Sequence, residues 1–259
     1  MIIDNLKNQA RVITLALCVG VLPFFNIART YASEKVGLTY GVSATVQNAY
    51  IWRGLRAGGM NMQIDANVGY GGLYADMWWN LGATDWSFTK FQPEVDLTVG
   101  FNRWGLNVYL LYIHNFNCGL FDGGNYVDKG NRLELNARYT VSKTVPLTFV
   151  WATRVAASDG YTNAAGKTAR AYSSYAEINY NQPLPYGLSI YTAVGITPWR
   201  SCYTGYEKNF AVNNVEMRLR KDWTVHKHLG MMLMGQICVN PYAHKEVINA
   251  NLALGIYLK

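Results

Sequence analysis

The sequence predicts an all-β protein, a transmembrane antiparallel up-and-down β-barrel of about 12 strands. Three observations carry that expectation. Apolar and polar residues alternate over runs longer than an ordinary strand. The breaks between those runs are short and long in turn. Only 15% of the 259 residues are charged while 50% are hydrophobic, less charge than a soluble domain spreads over its surface.

The N-terminus is a separate matter. Lys7 and Arg11 accompany an apolar run at 12–25, and Thr30 and Ala32 place small residues where a signal peptidase reads. Residues 1–32 are therefore expected to be a signal peptide and 33–259 the barrel domain. The apolar run is too short to span a bilayer comfortably as a helix. Cys18 suggests a lipoprotein, but Leu17 stands where a small residue belongs. Loss of Lys7, Arg11, Arg29 and Asp4 lowers the formal charge from +7 to +5, and no Lys/Arg cluster points to nucleic acid.

From residue 35 to 54, the even positions run Val36, Leu38, Tyr40, Val42 and on to Trp52, against small or polar odd positions ending at Arg53. This reads as one long strand, with Tyr50 and Trp52 facing lipid at the outer rim and Arg53 facing the lumen. Runs at 62–70, 75–84 and 95–101 place Asp65, Asp76, Glu94 and Asp96 on the polar parity. Residues 106–116 are apolar on both parities, so their facing stays open. Runs at 133–141 and 147–155 put Arg132, Glu134, Arg138 and Arg154 opposite Leu135, Phe149 and Trp151. Five more, at 171–180, 187–196, 211–220, 230–239 and 247–258, carry Glu177, Glu216, Arg218 and Gln236 on the less apolar side. Short breaks at 71–72, 102–105, 142–146 and 182–187 alternate with longer external loops, while 221–230 reads as a long turn on the short side. In lipid every backbone polar group must be paired, so such a sheet closes and turns its apolar face outward.

The last run, NANLALGIYLK, resembles the signal by which outer-membrane proteins meet their assembly machinery, with Lys259 in place of the usual terminal aromatic. YIWRGL (50–55), MQIDANVGYGGLYADMWWNLGATD (62–85) and PEVDLTVGF (93–101) resemble three segments of the TorF-like porin family, departing at Asp76, where that family carries Gly. The resemblance covers the first third of the chain after residue 32. It implies a small barrel in the bacterial outer membrane, with membrane lipid and the assembly machinery as partners, and names no substrate.

The inward set is then Arg53, Asp65, Asp76, Glu94, Asp96, Arg132, Glu134, Arg138, Arg154, Glu177, Glu216 and Arg218. Acidic residues of the early strands and basic residues of the later ones are expected to form opposed walls. Those walls either line a narrow pore for small polar or ionic solutes, or pair across the lumen and plug it. Arg53 is expected to pair with Asp65 or Glu94, and Trp78 to narrow the lumen. Removing Arg132 or Arg154 should favour cations. Two other readings stand beside the pore. One is a surface module binding a partner through loops 117–131 and 198–209. The other is an outer-membrane enzyme, for which His114, His226, His228 and His244 supply no matching Ser or Asp constellation. No catalytic residue, cofactor or metal site is expected. Cys118–Cys202 is a candidate disulfide, Cys202–Cys238 its rival, and three unpaired thiols the third possibility.

Overall fold

The computed structural model describes residues 37–82, 93–116, 130–243 and 247–258. The expected signal peptide, Cys118 and His244 lie outside the described residues. The strands are β1 (Leu38–Gln47), β2 (Tyr50–Trp52), β3 (Leu55–Gly58), β4 (Asn61–Tyr70), β5 (Leu73–Gly82), β6 (Glu94–Arg103), β7 (Leu106–Asn115) and β8 (Arg132–Thr140). They continue as β9 (Leu147–Ala157), β10 (Gly160–Thr162), β11 (Thr168–Arg170), β12 (Ser174–Leu184), β13 (Leu188–Thr197), β14 (Ala211–His226), β15 (Leu229–Val239) and β16 (Ile248–Leu258). Twelve of them form one closed antiparallel barrel, in the order β1-β16-β15-β14-β13-β12-β9-β8-β7-β6-β5-β4, with β4 pairing back to β1. The hairpins β2–β3 and β10–β11 belong to loops at the end opposite the short turns.

Parity decides which face is inside. Glu134 is 0% exposed and its neighbour Leu135 is 45% exposed. Along β1, Ser43, Thr45 and Gln47 are buried while Leu38, Tyr40 and Val42 are exposed; along β4, Asn61, Gln63, Asp65 and Asn67 are buried while Val68 and Tyr70 are exposed. This is the reverse of a soluble barrel. On β7 the structure settles what alternation leaves open: Val108 and Leu110 are exposed, Asn107 and Ile113 are buried, and Tyr109 and Leu111 face a lumen cavity.

The interior is filled largely by amides, which both donate and accept and so can satisfy one another without net charge. Gln47 Nε2 donates to Asn61 Oδ1 (3.2 Å), and Asn251 Nδ2 donates to Gln47 Oε1 (2.9 Å) and Gln236 Oε1 (3.2 Å). Gln236 Nε2 then donates to Glu216 Oε1 at 2.8 Å. These bonds lace β4, β1, β16, β15 and β14 across the closing seam. The backbone seam itself is short, running from Ser43↔Tyr257 to Gln47↔Ala253, whereas β1 pairs with β4 along its whole length.

Short turns close one end. Gly71–Gly72 and Trp104–Gly105 have positive φ at both positions, the backbone hand that matches strand twist, and the three-residue turn Pro185–Gly187 has positive φ at Tyr186 and Gly187. The expected long turn at 221–230 is corrected: β14 continues to His226 and β15 begins at Leu229, with Asp222↔Met232 and Trp223↔Met231 in register. Charged and His residues hide the alternation there, yet Trp223 and Val225 stay on the exposed face.

A second correction concerns the first strand, which ends at Gln47. Asn48 N donates to Leu252 O (3.3 Å), Asn48 Oδ1 accepts from Leu252 N (2.6 Å), and Asn251 Oδ1 accepts from Ala49 N (3.3 Å). Side chains thus take over from the ladder, and the chain leaves the wall. Tyr50 and Trp52 do not face lipid; they turn into the mouth.

Candidate functional site: a strapped lumen

β2 and β3 form a hairpin whose turn, Arg53–Gly54, has φ of 50° and 82°. Glycine is required at 54 on two counts: its φ, and a Cβ there would overlap the carbonyl oxygen of Asn213. Arg53 has no such freedom and is held in the left-handed region by its partners. Its Nη2 donates to Glu134 Oε2 (2.9 Å) and Asn136 Oδ1 (3.2 Å), and its Nη1 to the Tyr203 hydroxyl. The guanidinium lies 4.3 Å from the centre of the Trp52 ring. The turn backbone is pinned as well, by Asn213 Nδ2 on Arg53 O (3.1 Å) and Asn240 Nδ2 on Gly54 O (3.2 Å).

In the ring, β9 stands six places from β1 in either direction, with β8 and β12 flanking it. A hairpin rooted at β1 and clamped on Glu134 of β8 therefore crosses the whole mouth as a strap. The expected partners Asp65 and Glu94 are corrected to Glu134, on the far wall. Glu134 also accepts from Arg154 Nε at 3.4 Å, so two guanidiniums share one buried carboxylate. Burial alone would lower the Arg53 pKa, but the Glu134 carboxylate outweighs it and holds the guanidinium firmly charged.

The strap has an apolar seat: Trp52 and Leu55 pack on Ala152, Tyr175 and Tyr203. Tyr203 is presented by the 3-10 turn Cys202–Thr204. Ser173 fixes that turn, its Oγ accepting from Cys202 N (2.9 Å) while its own N donates to Asp159 Oδ2 (2.7 Å). Loops 158–173 and 198–210 are thereby knitted into the strap's support.

Beneath the strap lies a cavity of about 260 Å³. Of the expected inward charges, Arg53, Asp65, Asp76, Asp96, Arg138, Glu177, Glu216 and Arg218 line it. Arg132, Glu94, Glu134 and Arg154 belong to the outer ends of β6, β8 and β9. Glu94 accepts from the hydroxyl of Tyr50 at 3.1 Å. The expectation of opposed walls is corrected on one side. Glu177 and Glu216 sit among the later strands, where Glu216 is ion-paired with Arg218, and Arg220 pairs with Asp222 at 2.7 Å. Trp78 is buried in the lumen with its ring 5.4 Å from that of Tyr50. Parity alone misses Tyr50, Trp52, Tyr203, Asn213 and Asn240, because they reach the lumen from loops and strand ends. The one local signal for them is the Arg-Gly pair between two short apolar stretches.

Cys202 and Cys238 are not joined to each other: Cys202 belongs to the loop, whereas buried Cys238 donates its Sγ to Asn214 Oδ1 at 3.1 Å. The rival disulfide is thus excluded. Among the described residues, no three His, Cys, Asp or Glu are grouped to hold a metal ion.

Comparison with known families and with characterised proteins finds no match by sequence. Among solved structures, the chain is similar to a NanC porin at 10% identity and a TM-score of 0.46, covering 85% of this chain and 100% of that one. It is also similar to the COG4313 outer membrane channel from Pseudomonas putida F1 (11% identity, TM-score 0.45, 86% of this chain and 96% of that one). A third is Salmonella typhi OmpF in complex with daunomycin (11% identity, TM-score 0.37, 92% and 99%). The likeness is one of barrel shape.

Proposed function

We propose that this chain is a narrow porin of the bacterial outer membrane, passing small polar or ionic solutes passively. The observation that carries the reading is the polar cavity under the strap: the lumen is constricted by a folded loop and stays hydrophilic below it. A closed wall with an apolar exterior suits lipid, because it leaves no open sheet edge in the hydrocarbon. The expected signal peptide suits export, and the YIWRGL segment of the TorF-like resemblance forms most of the strap itself. Of the loops named for the partner-binding alternative, 198–210 is occupied in seating the strap, and residues 117–129 lie outside the described residues.

Reconstitution into planar bilayers tests this. The purified barrel should give small, discrete current steps in KCl. Replacing residues 49–59 by a short Gly-Ser link should enlarge those steps several-fold. Because that variant removes part of the lumen packing, Arg53→Ala serves as the milder form and should increase the time spent in larger-conductance states. A folded barrel that stays silent in all three forms would overturn the proposal.

A further inference from the structure

The lumen satisfies most of its charges internally, and the exceptions cluster in one cavity. Glu177 accepts from Tyr191 (2.7 Å), Asn179 (2.8 Å), Asn214 (3.3 Å) and the Tyr175 hydroxyl. Glu216 is taken by Arg218 and Gln236, and Glu134 by Arg53 and Arg154. In contrast, Asp96 Oδ1 on β6 and Arg138 Nε on β8 find no hydrogen-bond partner among the described residues. Neither do the amide nitrogen of Gln63 and the indole nitrogen of Trp78, whose side chains are 2% and 8% exposed. All four residues line the same cavity. The charge of Glu177 reaches Arg138 and that of Arg132 reaches Asp96, but the Glu177 oxygens are already occupied by four neutral donors and Asp96 Oδ1 still lacks a hydrogen bond.

Asp96 and Arg138 are half-buried, but each holds one buried charged-group atom without a hydrogen bond, which is costly, and a ligand of opposite charge removes that cost. Here an acid and a base face one small space from strands separated only by β7. Asp76 on the adjacent β5 and Asp65 one strand further on, in β4, make that side of the cavity attractive to a cation. A neutral polyol can hydrogen-bond to both side chains but brings no charge to either; a simple cation or anion matches only one.

We propose that the cavity is a binding site for a small zwitterion of the amino-acid class, its ammonium group against Asp96 and its carboxylate against Arg138. The volume is below the usual range for ligand pockets, which fits a single amino acid better than a peptide. The inference deepens the channel reading by naming a solute, and it relies on that reading only for how the solute arrives.

Titration calorimetry of alanine, lysine, glutamate and glucose into the detergent-solubilised barrel tests it. Alanine and lysine should bind saturably, glutamate more weakly, and glucose not at all. Asp96→Asn and Arg138→Gln should each weaken alanine about tenfold, the size expected when one charged hydrogen bond is lost. If Arg138→Gln fails to fold, Arg138→Lys should still bind several-fold more weakly, because it keeps the charge and loses the planar donor fork. Glucose binding as well as alanine, or folded variants with unchanged affinity, would overturn the site. Single-channel recording separates the two proposals. Conduction with no alanine-dependent block and no calorimetric binding sinks the site and keeps the channel. Calorimetric binding by a barrel that never conducts does the reverse.

Discussion

Glu134 is wholly buried between Arg53 and Arg154, and the three act as one unit. Removing the carboxylate charge strands two guanidiniums inside the wall, so Glu134→Gln is expected to cost about 3–5 kcal/mol. The check is a thermal melt followed by the β-sheet circular dichroism signal. Arg53→Ala should shift the midpoint less, because Glu134 keeps Arg154. That Arg53 faces the lumen is legible from parity. Its partner is not, because an arginine at a hairpin tip meets whatever the ring brings round to the far side. That depends on strand count and on every intervening register, none of which is encoded near residue 53. Asp65 and Glu94 are the reasonable expectation if a side chain pairs with nearby strands, and the strap is the reason it does not.

At the scale of elements, the strap and its seat form one cooperative piece. Burial is the largest influence on the Tyr203 hydroxyl and raises its pKa in spite of the opposing pull of Arg53. Burial, with Cys202 and Asp159 adding to it, pushes Tyr206 up to about 12. An unfolded tyrosine ionises near pH 10. Both side chains are neutral when the seat is formed, so their contribution is fully present below about pH 10 and is lost as pH rises towards 12. An alkaline titration followed by tyrosinate absorbance should therefore show a delayed phase. In bilayers that phase should coincide with larger current steps, and Tyr203→Phe should remove part of it. The barrel strands themselves are legible because a period of two, held for ten residues, has few other physical explanations. β2 escapes detection because the same alternation continues past Gln47, and only the side-chain bonds of Asn48 and Asn251 reveal that the chain has left the wall. The long turn expected near 221–230 fails for the opposite reason: strand continues where charge suggests a loop.

For the whole molecule, the inversion of faces is the property most fully written in the sequence, since it needs only parity and closure. The charge balance of the cavity follows from it and from packing together. Five carboxylates and three guanidiniums line the space, so the local field favours cations. Under a KCl gradient the reversal potential should show cation preference. Asp96→Asn should reduce that preference and Arg138→Gln increase it, and an anion-selective wild type would contradict the charge assignment. Arg154 shares the buried Glu134 carboxylate with Arg53 and does not line the cavity, so its removal should act more on stability than on selectivity, unlike the simpler expectation from a basic wall.

The short seam gives the ring a clasp. Its ladder stops at Ser43↔Tyr257, leaving Leu38–Val42 beyond the last β1–β16 pair, while the outer half is reinforced by the amide belt and by the bonds at Asn48 and Ala49. A zip fastened from one end tears from the other. Pulled apart, the wall should begin to part near Leu38, and the tear would reach the root of the strap only as the last stitches gave way. Losing the clasp and unseating the strap are then a single mechanical event.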